Sequence, residues 1–173
     1  DMYEYTLKKN PQGIAWSRAV DIKLVNPKGF APVSHSAANW VGDERHDWGE
    51  EGFLEALRDI FDSARAGYTV VGSDTAGYHG DEPITKELLI RWAQFSALCP
   101  LMENGGHGAH EPWLHDDETV EIYRRFVKLH LELKPYLYSM MMKSHETSGP
   151  IIHVAPGDWQ YRLGDHLFVS VIY

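Results

Sequence analysis

Basic charge is scarce and sulfur chemistry almost absent from this sequence. Sixteen Lys and Arg stand against 25 Asp and Glu, a net charge of −9, and the basic residues form no cluster. A nucleic-acid or anionic-membrane surface needs such a cluster, so neither is expected as a partner. The single cysteine, Cys99, precludes an internal disulfide. Its apolar setting, "SALCPLM", offers no adjacent base, so it reads as a small buried hydrophobe rather than a nucleophile. No run of about 18 apolar residues offers a membrane span. The glycine-rich "ENGGHG" lacks the Lys and Ser/Thr of a phosphate-binding loop, which argues against nucleotide binding. What is present, 43% hydrophobic, 24% charged and 12% aromatic residues, suffices for a globular core. The chain begins without Met and stops within an apolar run, "HLFVSVIY", and is expected to be cut at both ends.

Periodicity organises the rest. Residues 12–20, "QGIAWSRAV", predict a buried strand. Phe53, Leu54, Leu57, Ile60, Phe61 and Ala64 recur at helical spacing, and Gly67 stands where that helix should end. "GYTVVGSD" predicts a strand buried on both faces that emerges at Ser73 and Asp74. Thr85 is placed to cap a second helix burying Leu88, Leu89, Trp92 and Phe95, and "CPLM" predicts a short strand ending at Glu103. A long helix is expected from Thr119 to about His145, kinked at Pro135, with Val120, Leu131, Leu137 and Met140 on one side. Beyond 148–150 the character changes to turn residues and β-rich runs. Strand, loop and helix repeating in this order is the rhythm of a β/α repeat around a parallel sheet. Such folds gather their chemistry at the C-terminal ends of the strands, where Arg18, Asp43, Asp74, Glu103 and Asn104 fall. A complete eightfold barrel takes about 250 residues, so at most four repeats are expected here.

In "NWVGDERHDW", residues 39–48, two tryptophans frame four charged side chains and a histidine. A carboxyl group near an aromatic ring and a glycine, as at Asp43, can be desolvated on one side and is then suited to hold a proton for a leaving group. "GD" is equally an ordinary turn or helix N-cap. Trp40, Trp48, Tyr78 and Trp113 suit the flat apolar faces of sugar rings, and Arg18 and Asp74 suit hydroxyl groups. Arg18 serves equally as a structural ion-pair partner for Asp43 or Asp74. His107, His110 and His115, with Asp116 and Asp117, are a possible zinc ligand set. Their spacing matches no recognised zinc pattern, and the flanking glycines suit a surface or substrate loop.

Taken together, "WSRAV", "NWVGDERHDW", "VGSDTAGYHG", "ELLIRWAQFSALCPLM", "LKPYLYS" and "YRLGDHLFVS" resemble, in order, motifs of glycoside hydrolase family 31, the α-glucosidase and α-xylosidase family. The resemblance implies the C-terminal half of a (β/α)8 TIM barrel over residues 1–148, followed by the first strands of a β-sandwich at 149–173. It implies retaining hydrolysis of terminal α-linked glucose- or xylose-type sugars, with an oligosaccharide or α-glycoside as the partner and no metal or other cofactor. Asp43, in the "W-x-G-D" motif, would be the general acid/base. Arg18, Trp40, Asp74, Tyr78 and His110 would contact the sugar. Glu44, Arg45, His46 and Asp47 fall outside the matched positions and are expected on the loop surface or at a distal subsite. The family nucleophile belongs to a "W-x-D-x-N-E" motif that these residues do not contain, so the chain alone is expected to be inactive. Three departures stand out. Met102, Glu103, Asn104 and Gly105 occupy the place of "M-R-x-H", leaving His107 or His110 to swing in for its histidine. Thr75 and Ala76 follow Asp74 where Ile and Gly are usual, and His166 stands where a second Asp is common after "LGD". A carbohydrate-binding or scaffold domain with no hydrolytic role is the competing expectation.

Overall fold

The structure, a computed structural model, describes residues 2–21, 28–36, 38–157 and 159–173. In chain order its elements are α1 (Met2–Lys9), β1 (Trp16–Ser17), β2 (Ala38–Trp40), α2 (Phe53–Arg65), β3 (Val71–Gly72), α3 (Lys86–Ser96), α4 (Asp117–Thr147), β4 (Ile152–Val154), β5 (Gln160–Leu163) and β6 (Leu167–Ser170). The first three strands form a parallel sheet in the order β1-β2-β3, with Ser17 opposite Asn39 and Trp40 opposite Gly72. A further extended segment continues it: the Leu101 N–H donates to the Val71 carbonyl at 3.3 Å, and Asp74 pairs with Glu103 in a parallel bridge. The expected strand "CPLM" is thus seen as a ladder edge next to β3.

Alternation along the strands divides the side chains between two faces. Asn39, Val41 and Val71 face the helices. Asn39 is fully buried there, accepting from the Ala19 N–H at 2.7 Å and donating to Ser63 Oγ of α2 at 2.8 Å. Trp40 and Asp74 lie on the opposite face, joined by a hydrogen bond. The expectation of a buried strand over 12–20 needs correction. Only Trp16 and Ser17 pair, both are exposed, and burial begins at Ala19. β1 is the edge of the sheet among the described residues, so nothing covers its outer side.

The helices follow their apolar stripes. α2 buries Phe53, Leu57, Ile60 and Phe61, and its Phe53 ring stacks on Trp92 of α3 at 4.7 Å. Gly67 follows it with φ +96, a conformation that side chains with a Cβ rarely adopt. Thr85 caps α3 by accepting from the Leu88 N–H at 3.2 Å, and Asp116 caps α4 by accepting from Thr119 at 2.8 Å. α4 continues unbroken through Pro135 and ends at Ser148 in a left-handed turn. Of its expected apolar side only Leu137 is fully buried, and Leu131 is 51% exposed. α4 packs against α3, the 112–114 turn and the C-terminal strands, and its Tyr123 packs on Ala76, Ile84 and Leu89, while Leu131 stays half exposed.

β4, β5 and β6 form a separate antiparallel sheet, with Ile152 opposite Leu163 and Tyr161 opposite Val169. Its inward residues Ile152, Tyr161 and Leu163 join the same buried cluster as Val41 and Val71. α2 touches both β3 and β4, so the helical layer lies between the two sheets. Tyr161, wholly buried against Phe61 and Phe95, donates its hydroxyl to the Leu98 carbonyl at 2.9 Å and ties the second sheet to the end of α3. Cys99 is buried beside it, and burial pushes its thiol far above the ordinary range, as suits an inert core residue.

Candidate active site

The C-terminal ends of the parallel strands converge on one group of side chains. Arg18 follows Ser17, the partner of Asn39, and therefore stands level with Trp40. The chain leaves β2 through Val41, whose N–H still donates to the Gly72 carbonyl at 3.1 Å, and turns at Gly42 with φ +127. The Arg18 guanidinium lies directly on that glycine. A Cβ added at Gly42 would sit 2.2 Å from Arg18 Cζ. The turn therefore demands glycine twice over, for its backbone angle and for the contact that sets Arg18 beside the start of Asp43. Arg18 Nε is buried and has no hydrogen-bond partner among the described residues.

Asp74 is 6% exposed, and its Oδ2 accepts from Trp40 Nε1 at 3.0 Å. Burial pushes its carboxyl from 3.8 up to about 6; the Trp40 N–H pulls the other way, and the charge of Asp43 adds to the rise. Glu103 stands opposite Asp74 on the neighbouring strand end, its carbonyl accepting from the Thr75 N–H at 3.0 Å. Its Oε1 is buried without a partner among the described residues. Burial, with the charge of Asp74, pushes Glu103 from 4.5 to about 7. Asp43, half-buried, completes a run of carboxyl groups in which Asp74 senses Asp43 and Glu103 senses Asp74.

Two of the residues expected on the loop surface or at a distal subsite are buried. Glu44 is 2% and His46 6% exposed. The Glu44 carbonyl accepts from the N–H groups of Tyr78 and His79, and the His46 N–H donates to the His79 carbonyl at 2.8 Å. The loop after β3 therefore folds over the loop after β2. Burial holds the Glu44 carboxyl well above the ordinary carboxylate range. Gly80 packs on the His46 ring so closely that an added Cβ would lie 2.3 Å from Nε2. The glycines of "GYHG" are the sequence signal for this covering.

Tyr78 is 36% exposed, its ring against the His107 ring at 5.6 Å and its carbonyl accepting from the His107 N–H at 2.7 Å. His110 is 5% exposed, with Nδ1 3.2 Å from the Thr75 carbonyl and Nε2 3.1 Å from the His107 carbonyl. It braces the 104–110 loop onto the end of the Asp74 strand. Trp113 is 70% exposed and Trp48 packs on Phe53 in the core, so neither joins the carboxyl group. A cavity of about 660 Å3 opens between this loop and α4, lined by Asn104, His110, Trp113, Tyr123 and Val127 among others. It begins one residue past Glu103 and does not include Arg18, Asp43 or Asp74. Of the residues considered for zinc, His110, His115 and Asp116 hold other partners. His115 Nε2 faces the Ala109 carbonyl, Asp116 caps α4 and pairs with Lys86, and no group of three or more metal-binding side chains assembles among the described residues.

Residues 15–140 match the glycosyl hydrolases family 31 TIM-barrel domain. The chain is 29% identical over 132 residues to alpha-glucosidase 2 of Bacillus thermoamyloliquefaciens, covering 75% of this chain and 16% of that protein. It is 27% identical over 153 residues to the alpha-xylosidase of Saccharolobus solfataricus, covering 80% of this chain and 21% of that one. Among solved structures, the cycloalternan-degrading enzyme of Trueperella pyogenes in complex with a covalent intermediate superposes over 98% of this chain and 25% of its own, with a TM-score of 0.80 at 22% identity. The chain thus spans between about a sixth and a quarter of the length of these proteins.

Proposed function

The chain belongs to glycoside hydrolase family 31, and from that premise we propose that it carries the acid/base side of the cleavage site of a retaining α-glycosidase acting on terminal glucose- or xylose-type sugars. In this reading residues 1–148 are the C-terminal half of the catalytic barrel and 149–173 open a β-sandwich. Three paired strands with a fourth extended segment, a bare outer side on β1 among the described residues, and an exposed Leu131 on α4 support a half-barrel whose other repeats complete the mouth.

Asp43 is the general acid/base. The observation that carries this is its setting: it follows a glycine turn pinned under the Arg18 guanidinium, at the strand ends, with Asp74 close enough to feel its charge. In the first step Asp43 gives its proton to the departing glycosidic oxygen while a carboxylate outside this chain attacks the sugar carbon. In the second, the resulting carboxylate takes a proton from water, which displaces the enzyme from the sugar. The two carboxyl groups of such a pair stand about 5–5.5 Å apart, close enough for direct attack. Arg18, whose buried Nε has no partner among the described residues, and Asp74, held by Trp40, orient the sugar by its hydroxyls, and Trp40 and Tyr78 supply ring faces. His110 acts through the loop it braces, which keeps Tyr78 and His107 at the mouth.

The test is Asp43→Ala in the intact protein. Turnover of an unactivated α-linked disaccharide should fall by about 10²–10⁴. An aryl α-glycoside with a good leaving group, which needs no acid in the first step, should regain turnover with added azide. The 173 residues alone should release no product. A variant within threefold of the parent on both substrates would refute the assignment.

A further inference from the structure

We infer that Glu103 reads a hydroxyl group of the bound sugar, which becomes the partner that its buried Oε1 lacks among the described residues, beside the neighbouring carboxyl of Asp74. The inference rests on the reading of these strand ends as a sugar pocket.

Glu103 and Asp74 are bridge partners on adjacent parallel strands, so their side chains project to the same face, the face on which Trp40 holds Asp74. The two carboxyl groups differ in how well they are served. Asp74 has the indole N–H. A buried carboxyl oxygen without a partner is costly unless a ligand or water meets it. Asp59, buried on α2, accepts from Lys28, whereas Glu103 Oε1, on the face that carries Asp74 and Trp40, meets no donor among the described residues. Two crowded carboxyl groups also do not both ionise freely: with Asp74 raised to about 6 and Glu103 to about 7, the pair holds protons near neutrality. Such a pair offers both an O–H donor and an oxygen acceptor. A sugar hydroxyl, itself donor and acceptor, satisfies both at once. An anionic substituent on the sugar would instead meet like charge. The substrate class is therefore a neutral sugar with a hydroxyl at the position facing Glu103.

The experiment crosses side-chain deletion with hydroxyl deletion in the intact protein. The substrates are the 4-nitrophenyl α-glucoside or α-xyloside, whichever is turned over faster, and its 3-deoxy and 4-deoxy derivatives, with the 6-deoxy derivative for glucose. The parent should reject one deoxy substrate by at least about tenfold in kcat/KM, mostly through KM, since a site built around a hydroxyl is left unpaired without it. Glu103→Ala should bring that ratio within about threefold of unity and leave the other ratios unchanged. Glu103→Gln, nearly the same shape, should retain part of the discrimination and flatten the change in KM between about pH 6 and 8. Thermal melts of both variants establish that they fold. Deoxy ratios in Glu103→Ala equal to those of the parent, or a pH dependence of KM unaltered in Glu103→Gln, would overturn the inference while leaving the role of Asp43 intact. Failure of the intact protein to cleave any α-glycoside would remove both.

Discussion

Asp74→Asn should stabilise the protein relative to the parent at neutral pH and lose that advantage in acid. The Asp74 carboxyl is 6% exposed and burial raises it from 3.8 to about 6. Between about pH 4 and 6 the folded protein keeps a proton on Asp74 that the unfolded chain has released. Stability of the parent therefore falls as pH rises through that window and stays lowered above it. A difference of about two pH units at 1.36 kcal/mol each amounts to about 3 kcal/mol. Asparagine has the same shape, keeps an oxygen for the Trp40 N–H and does not ionise. The stability of Asp74→Asn minus that of the parent should thus be more favourable at pH 7.5 than at pH 4 by about 2.5 kcal/mol, the unfolded carboxyl being already partly ionised at pH 4. Comparing the two pH values cancels any pH-independent cost of the substitution. Because Asp74 also helps to raise Glu103, the variant's Glu103 should titrate below about 7, which adds in the same direction. Urea unfolding followed by tryptophan fluorescence at the two pH values measures the difference. An equal difference at both pH values, or a larger advantage for Asn at pH 4, would refute the assignment of a buried, reluctant carboxylate at this position.

Two substitutions separate the site from the scaffold. Gly42→Ala puts a Cβ against Arg18 Cζ at a backbone angle of +127 and should cost about 1–3 kcal/mol in stability and at least tenfold in kcat/KM, read by thermal melts and aryl-glycoside kinetics on the intact protein. Tyr161→Phe removes the buried hydrogen bond to the Leu98 carbonyl and should cost about 1–2 kcal/mol while leaving kcat/KM within twofold, because the bond lies on the far side of the helical layer from the carboxyl groups.

The helices were legible because their signals are redundant. α2 and α3 combine an apolar stripe with Gly67 or the Thr85 cap, and each device agrees with the other. β1 was not legible: the apolar look of "IAWSRAV" is the same whether both faces are covered or one is bare, and only pairing shows that Trp16 lies at an uncovered edge. α4 was read to within two residues at each end because its helical periodicity is local. Its buried side was overestimated because burial depends on what packs beside it. In the site, Arg18, Trp40 and Asp74 could be placed from their position after β-rich runs, since the period of two carries them to one face. Glu44 and His46 were misplaced for the opposite reason: a charged stretch reads as surface, whereas here a second loop closes over it through backbone bonds that involve no particular side chain. The glycines that permit that closure, Gly77 and Gly80, were visible, but which loop they admit was not.

The carboxyl groups of the site are linked in series rather than gathered around a common cation. Asp43 raises Asp74, Asp74 raises Glu103, and Asp74 also contributes to the rise of the fully buried Glu44. A proton gained or lost at one member therefore changes the next, and the apparent pKa values in a rate profile belong to the set. This has a consequence for assigning roles. A shifted pH optimum after substitution at Glu103 or Asp74 does not make either residue the acid, because each moves the titration of its neighbour. The acid is distinguished by its dependence on the leaving group: only the residue that protonates the departing oxygen should lose poor leaving groups far more than good ones. Under that criterion Asp43 would separate from Asp74 and Glu103, and Glu103 would be identified by the hydroxyl it discriminates rather than by the pH at which it acts.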